Sequence, residues 1–216
     1  MIQKLPPGTS RFAVCDLESS KWRNGGGSTR EIASGCFTDR GPDPDLPWDW
    51  RLSLAAIASD GPFSTFAGVD RTAVLVKGRL ALATQHCTME LATLGDIRSF
   101  PGEAETFATL GGGDAALLNL MFRRGSVAAE VRVWRGNGIS EPSPRGSVFF
   151  FVAASEFEVG LLSEGASRIV RSDLLLHEGL RFDGGVKRAE FRAASDGACL
   201  VELRVRPAVA HSKDTR

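Results

Sequence analysis

The stretch Asp49–Arg71, DWRLSLAAIASDGPFSTFAGVDR, decides how this chain is read. Across Asp49–Ala58, Trp50, Leu52 and Leu54 fall on one face of a strand, and Arg51, Ser53 and Ala55 on the other. A period of two with unlike faces marks a strand, not a helix. Asp60-Gly61-Pro62 then reads as a turn, and Gly68-Val69-Asp70-Arg71 as the entrance to the apolar strand Ala73–Lys77. A guanidinium at such an entrance can hold a carboxylate through two parallel hydrogen bonds, a rigid geometry that lysine does not offer. The competing reading pairs Arg71 with Asp70 or Asp60 and makes it a pin for the turn.

Outward from this stretch, strand signals outnumber helix signals. Gly78-Arg79 carries a two-residue hairpin signal between Ala73–Lys77 and Leu80–Thr84. Further strands are expected at Thr88–Ala92, Glu105–Thr109, Leu117–Phe122, Val127–Trp134, Val148–Ala153, Glu156–Leu161, Arg188–Ala193 and Cys199–Arg206. Short strands at this spacing, broken by Gly and Pro, predict an all-β sandwich or barrel. Ser172–Glu178 reads equally as a helical turn or a strand. Punctuation is heavy at Gly41–Pro47, Gly111–Asp114 and Arg135–Gly146, the last a junction between two halves, and Pro207–Arg216 reads as a flexible tail.

Composition narrows the function. The chain has 216 residues with 26 basic and 26 acidic side chains, so its net charge is zero. A nucleic-acid binder would carry a basic excess, and none is expected here. The longest apolar run, Val148–Ala154, is seven residues, far short of the roughly 18 needed to span a bilayer. No membrane partner is expected. The first residues, MIQKLPPGTSRFAVC, lack the apolar core of a secretory signal, and Cys15, Cys36, Cys87 and Cys199 form no CxxC pair. A cytoplasmic protein with free thiols is the expectation.

A second stretch, Trp22–Ile32 (WRNGGGSTREI), combines three glycines with hydroxyl, amide and charged side chains. The glycines permit positive φ and close backbone approach, which suits a tight turn and a binding loop equally. Beyond it, Thr29 and Glu31 share one strand face while Arg30 takes the other. No GxxxxGK[ST] or GxGxxG supports nucleotide binding, and no GxSxG marks a nucleophile elbow. His86, His177 and His211 are far apart and form no HxH or HExxH, so no metal cofactor is expected. Asn119 interrupts an apolar strand, and a buried amide there needs partners. Met121 and Phe122 read as core, Arg123 and Arg124 as solvated.

With these residues assembled, the sequence resembles the HutD/Ves family. The resemblance rests on Trp22–Ile32 and Asp49–Arg71, continues through SFPGE at Ser99–Glu103, LNLMFRRG at Leu118–Gly125 and VFFFVA at Val148–Ala153, and runs from Arg11 to about Arg206. It implies a metal-free double cupin, two small β-barrels in one chain. It also implies a non-catalytic regulator that moderates histidine catabolism by binding formylglutamate, formiminoglutamate or urocanate, or, for Ves-type members, a role in stress. A metal-independent isomerase or hydrolase is the alternative. For an acidic ligand, Arg71 is the first choice of anchor and Arg51 the second, with Asn24, Thr29, Ser53 and Glu31 as neighbours. Phe66-Ala67-Gly68 departs from the usual Phe-Pro-Gly and could loosen the turn before Arg71. Edge strands offer a route to a homodimer.

Overall fold

The structure, a computed structural model, describes residues 4–37, 46–142 and 146–208. The Gly41–Pro47 punctuation and the Pro207–Arg216 tail lie largely outside the described residues. Within them the chain forms nineteen strands and a single 3-10 turn, Val14–Asp16. The all-β expectation holds.

Four antiparallel sheets stack as two pairs. In the first pair, β2 (Ser19–Lys21), β3 (Gly27–Gly35), β4 (Trp50–Ile57), β11 (Ala115–Arg123), β6 (Val69–Lys77) and β9 (Ile97–Pro101) lie side by side in that order. Facing them are β5 (Gly61–Pro62), β10 (Phe107–Leu110), β7 (Leu80–Ala83) and β8 (Thr88–Leu91). In the second pair, β1 (Thr9–Ala13), β17 (Glu178–Phe182), β14 (Val148–Ala153), β19 (Cys199–Pro207) and β12 (Val127–Arg135) form one sheet. The other holds β13 (Gly138–Ser140), β18 (Val186–Ala193), β15 (Phe157–Ser163) and β16 (Ile169–Leu174). The chain crosses between pairs at residues 124–126, and β1 returns the N-terminal segment to the second pair. The punctuation at 135–146 follows β12, already a member of that second pair.

Strand alternation decides which face goes where. Trp50, Leu52 and Leu54 of β4, with Leu118 and Leu120 of β11, pack against Val148, Phe150 and Val152 of β14 and Val201, Leu203 and Val205 of β19. This apolar layer joins the six-stranded sheet of the first pair to the five-stranded sheet of the second. The opposite faces of the same strands line the two barrel interiors. Phe149, Phe151, Phe157, Phe182 and Phe191 fill the second interior, with Phe149 and Phe182 stacked 5.1 Å apart. Both faces of β14 are therefore buried, which is why VFFFVA is apolar without alternation.

Two expectations change. Gly78 does not turn a hairpin, because β6 and β7 belong to opposite sheets of the first barrel. Gly78, at φ +73°, instead carries the chain across, so close to β11 that a Cβ would lie 2.3 Å from the Asp114 carbonyl. Ser172–Glu178 resolves into the end of β16, a turn with His177 at φ 61°, and the start of β17. The four cysteines are free, with Cys199 buried.

The inter-barrel layer yields a stability prediction. Phe150 is 1% exposed and meets Trp50 edge to face at 5.7 Å. Phe150→Ala should cost about 3–5 kcal/mol in chemical denaturation. A cost below about 1 kcal/mol would mean that the two barrels do not depend on this layer.

Candidate functional site

The first barrel keeps a cavity of about 500 Å3 between its sheets. Its floor is the face of β4, β11 and β6 turned away from the inter-barrel layer. Sheet register sets the floor in rows: Arg51 opposes Met121, which opposes Arg71, and Ser53 opposes Asn119, which opposes Ala73. One wall is the loop Pro62–Phe66, tied down where Phe63 and Phe66 donate backbone N–H groups to the carbonyls of Thr106 and Gly102. The other includes Trp22, Asn24 and Thr29 from the glycine-rich turn and β3.

Arg71 is the unusual residue. It is 6% exposed, and its guanidinium lies 5.1 Å from the Phe63 ring, 5.9 Å from Phe66 and 5.1 Å from Phe100. Its Nη1 donates to the Ser64 carbonyl at 3.1 Å, while Nε is buried without an acceptor. Among the described residues no carboxylate forms an ion pair with it. Asp70 turns instead to Arg124, which it accepts at 2.7 Å and which also holds Glu103 at 2.8 Å. Asp60 accepts from the Leu110 backbone N–H. Burial, and secondarily the charge of Arg51, lowers the Arg71 pKa to about 10. Ring faces soften this cost through cation–π attraction.

The remaining sequence candidates divide. Ser53 is 1% exposed and Thr29 accepts a hydrogen bond from Trp22 Nε1 at 2.8 Å; both line the cavity. Arg51 lines it as well, but its Nε donates to Glu31 Oε2 at 2.6 Å. Glu31 also accepts from Ser34 at 2.8 Å and is not part of the cavity lining. Asn24 lines the cavity while its Oδ1 accepts the Gly26 N–H at 3.0 Å, closing the turn. Gly25 sits at φ +74°, and a Cβ on Gly27 would meet the Ala56 carbonyl at 2.3 Å. Turn and cavity wall are thus one element. The Phe66-Ala67-Gly68 turn is held, since the Gly68 carbonyl accepts the Arg124 N–H at 2.9 Å.

Sequence reasoning missed the aromatic setting of Arg71. Phe100 reaches it only because β9 pairs with β6 in the register that opposes Arg71 to Phe100. Asn119 is 8% exposed and lines the cavity with Oδ1 unpartnered; its signal was an amide inside an apolar strand. Met121, read as core, is also cavity floor. Arg123 is not solvated but reaches buried Asp49 at 3.4 Å. A second cavity of about 420 Å3 borders β12 and β19, where buried Glu202 already accepts from Trp134 at 2.7 Å and Ser140 at 2.6 Å. No group of three or more His, Cys, Asp or Glu among the described residues could hold a metal ion. No helix there is long and apolar enough to cross a membrane.

The family model described as HutD matches residues 15–201. This chain belongs to the HutD family. Protein Ves from Citrobacter koseri is 33% identical over 146 residues, covering 67% of this chain and 73% of that protein. A 21.2 kDa protein in the hutC 3′ region of Pseudomonas putida is 32% identical over 167 residues, 76% of this chain and 84% of that one. The solved structure of HutD from Pseudomonas fluorescens superposes with a TM-score of 0.72 at 23% identity, over 93% of this chain and 99% of that chain. The two sandwiched barrels of this HutD-family chain are a double cupin.

Two outcomes follow from the geometry. The folded pKa of Arg71 lies below its unfolded value, so its charge costs stability at pH 7, and that cost falls as pH rises through about 10. Arg71→Met should raise the melting temperature by about 3–8 °C at pH 7, with a smaller gain above pH 10. A lower melting temperature would show that the Ser64 bond and the rings outweigh desolvation. Gly27→Ala should destabilise by at least about 2 kcal/mol and shift the NMR resonances of Trp22 and Thr29, since β3 must move off β4; wild-type stability would refute the close approach.

Proposed function

We propose that this HutD-family chain is a cytoplasmic, non-catalytic regulator that moderates histidine catabolism by binding a small acidic intermediate in the first-barrel cavity. One observation carries the reading: Arg71 is a buried cation at the cavity floor with no carboxylate partner among the described residues. An unpaired buried charge is costly, and a ligand carboxylate relieves that cost. The link to histidine draws on the relative in the hutC 3′ region and on the likeness to HutD.

Formylglutamate, formiminoglutamate and urocanate are the ligands to test. Calorimetry should detect binding of at least one, and Arg71→Ala should weaken it by about 1.5–3 kcal/mol, the scale of a charge-assisted hydrogen bond. Arg51→Ala should cost less, because Glu31 already occupies that guanidinium. Unchanged affinity in folded Arg71→Ala would remove the anchor. Turnover of any of the three, followed by NMR, would replace the regulator with a metal-independent enzyme.

A further inference from the structure

The cavity of about 420 Å3 in the second barrel lies where β12 meets β19. Strand parity turns Leu200, Glu202 and Arg204 of β19 to the side of Phe149 and Phe151, away from the layer that holds Val201, Leu203 and Val205. Register then sets two rows of opposite charge: Arg132 opposes Glu202, and Glu130 opposes Arg204. Directly opposed side chains start about 4.5–5.5 Å apart at Cβ, so each row is placed to close into an ion pair. The second row does so. Arg204 Nη1 stands 3.9 Å from Glu130 Oε2, and Arg204 also donates to Ser147 at 3.1 Å and lies 5.4 Å from the Phe149 ring. The first row stays open. Arg132 forms no ion pair among the described residues and holds its guanidinium 5.4 Å from the Trp134 ring. Glu202, 9% exposed, takes its hydrogen bonds from two neutral donors, Trp134 Nε1 on Oε2 at 2.7 Å and Ser140 Oγ on Oε1 at 2.6 Å.

A carboxylate has about four acceptor sites on its two oxygens, so each Glu202 oxygen has a site left for another donor. Neutral donors leave its charge uncompensated, and a buried charge without a counter-ion is costly. The cavity therefore presents an anion and a cation side by side, neither with its counter-charge among the described residues. A simple acid would answer Arg132 and be repelled by Glu202; a simple amine would do the reverse. A zwitterion answers both. We infer that this second cavity binds a free α-amino acid, with its ammonium on Glu202 and its carboxylate on Arg132. A single carbon separates the two charged groups of an α-amino acid, which suits directly opposed partners. Phe149 and Pro142 line the same cavity and offer its side chain an apolar contact. The inference does not rest on the acidic-ligand reading of the first barrel.

Calorimetry with the twenty common α-amino acids, at up to about 10 mM, tests it. At least one should bind the wild-type protein. Its N-acetyl form, which lacks the ammonium, and its primary amide, which lacks the carboxylate, should each bind at least about tenfold more weakly. Glu202→Gln should weaken the amino acid at least about tenfold and leave the N-acetyl form no weaker; Arg132→Gln should weaken the amino acid and leave the amide no weaker. A merely structural role would weaken parent and analogue alike. Circular dichroism would check folding, and Arg132, being exposed, keeps the test open if Glu202→Gln does not fold. Arg71→Ala should retain wild-type affinity for the amino acid. Binding lost in Arg71→Ala but kept in Arg132→Gln belongs to the first cavity and overturns the inference. So does a wild-type protein that binds none of the twenty, or an N-acetyl form that binds as well as its parent. Those last two results leave the acidic-ligand reading of the first barrel standing.

Discussion

The apolar layer between the barrels governs the rest of the structure. Trp50, Leu52 and Leu54 cannot face solvent without exposing that layer, so the register of β4 is fixed to the residue. The same holds for Leu118 and Leu120 of β11 and for Val74 and Val76 of β6. Because side chains alternate, fixing one face fixes the other. Arg51, Ser53, Asn119 and Arg71 point into the first barrel because their neighbours are needed in the layer behind. A slip of one residue would send the polar set into that layer, at several kcal/mol for each unpaired group. The cavity face is therefore held by packing on its far side.

That scaffold lets the first barrel keep a buried cation. Arg71 is retained against desolvation by three ring faces and the Ser64 carbonyl. The neighbouring carboxylate that could have neutralised it, Asp70, is drawn to the surface by Arg124, which also holds Glu103. The Arg124 pair raises the Arg124 pKa and lowers that of Glu103, so each keeps its charge through the neutral range. This pairing supplies little stability at an exposed position. Its consequence is local: it occupies Asp70 and leaves Arg71, the buried cation of the cavity, without an ion pair among the described residues.

Much of this was legible in the sequence, and the parts that were not share a cause. The alternation in DWRLSLAA gave β4 and its two faces, and the apolar runs gave β11, β14 and β19 within a residue or two. Glycine chemistry placed the turn at Gly25–Gly27. The strands β1, β9 and β17 carry weak local patterns, since each is defined by pairing to a distant partner; β16 is weakly patterned too, although it pairs with its neighbour β15. The hairpin at Gly78 failed for the same reason: local turn chemistry is satisfied equally by a hairpin and by a crossing between sheets. Among candidate ligand residues, Arg71 and Ser53 were readable from strand parity. Glu31 has the right parity too, yet pairs with Arg51 and lies outside the cavity lining, which no spacing reveals.

The two barrels differ in what fills them. In the second, Phe149, Phe151, Phe157, Phe182 and Phe191 close-pack the interior, and its buried carboxylate, Glu202, is bonded by Trp134 and Ser140. In the first, volume is left open above smaller floor residues, Ser53, Ala55 and Asn119, while the rings of Phe63 and Phe66 stand in the wall beside Arg71. A ligand entering there would meet an aromatic-shielded cation on a sheet that cannot relax, because its other face is locked into the second barrel. Rigid support of this kind lowers the ordering cost of binding. The second barrel thus serves the first one as a foundation.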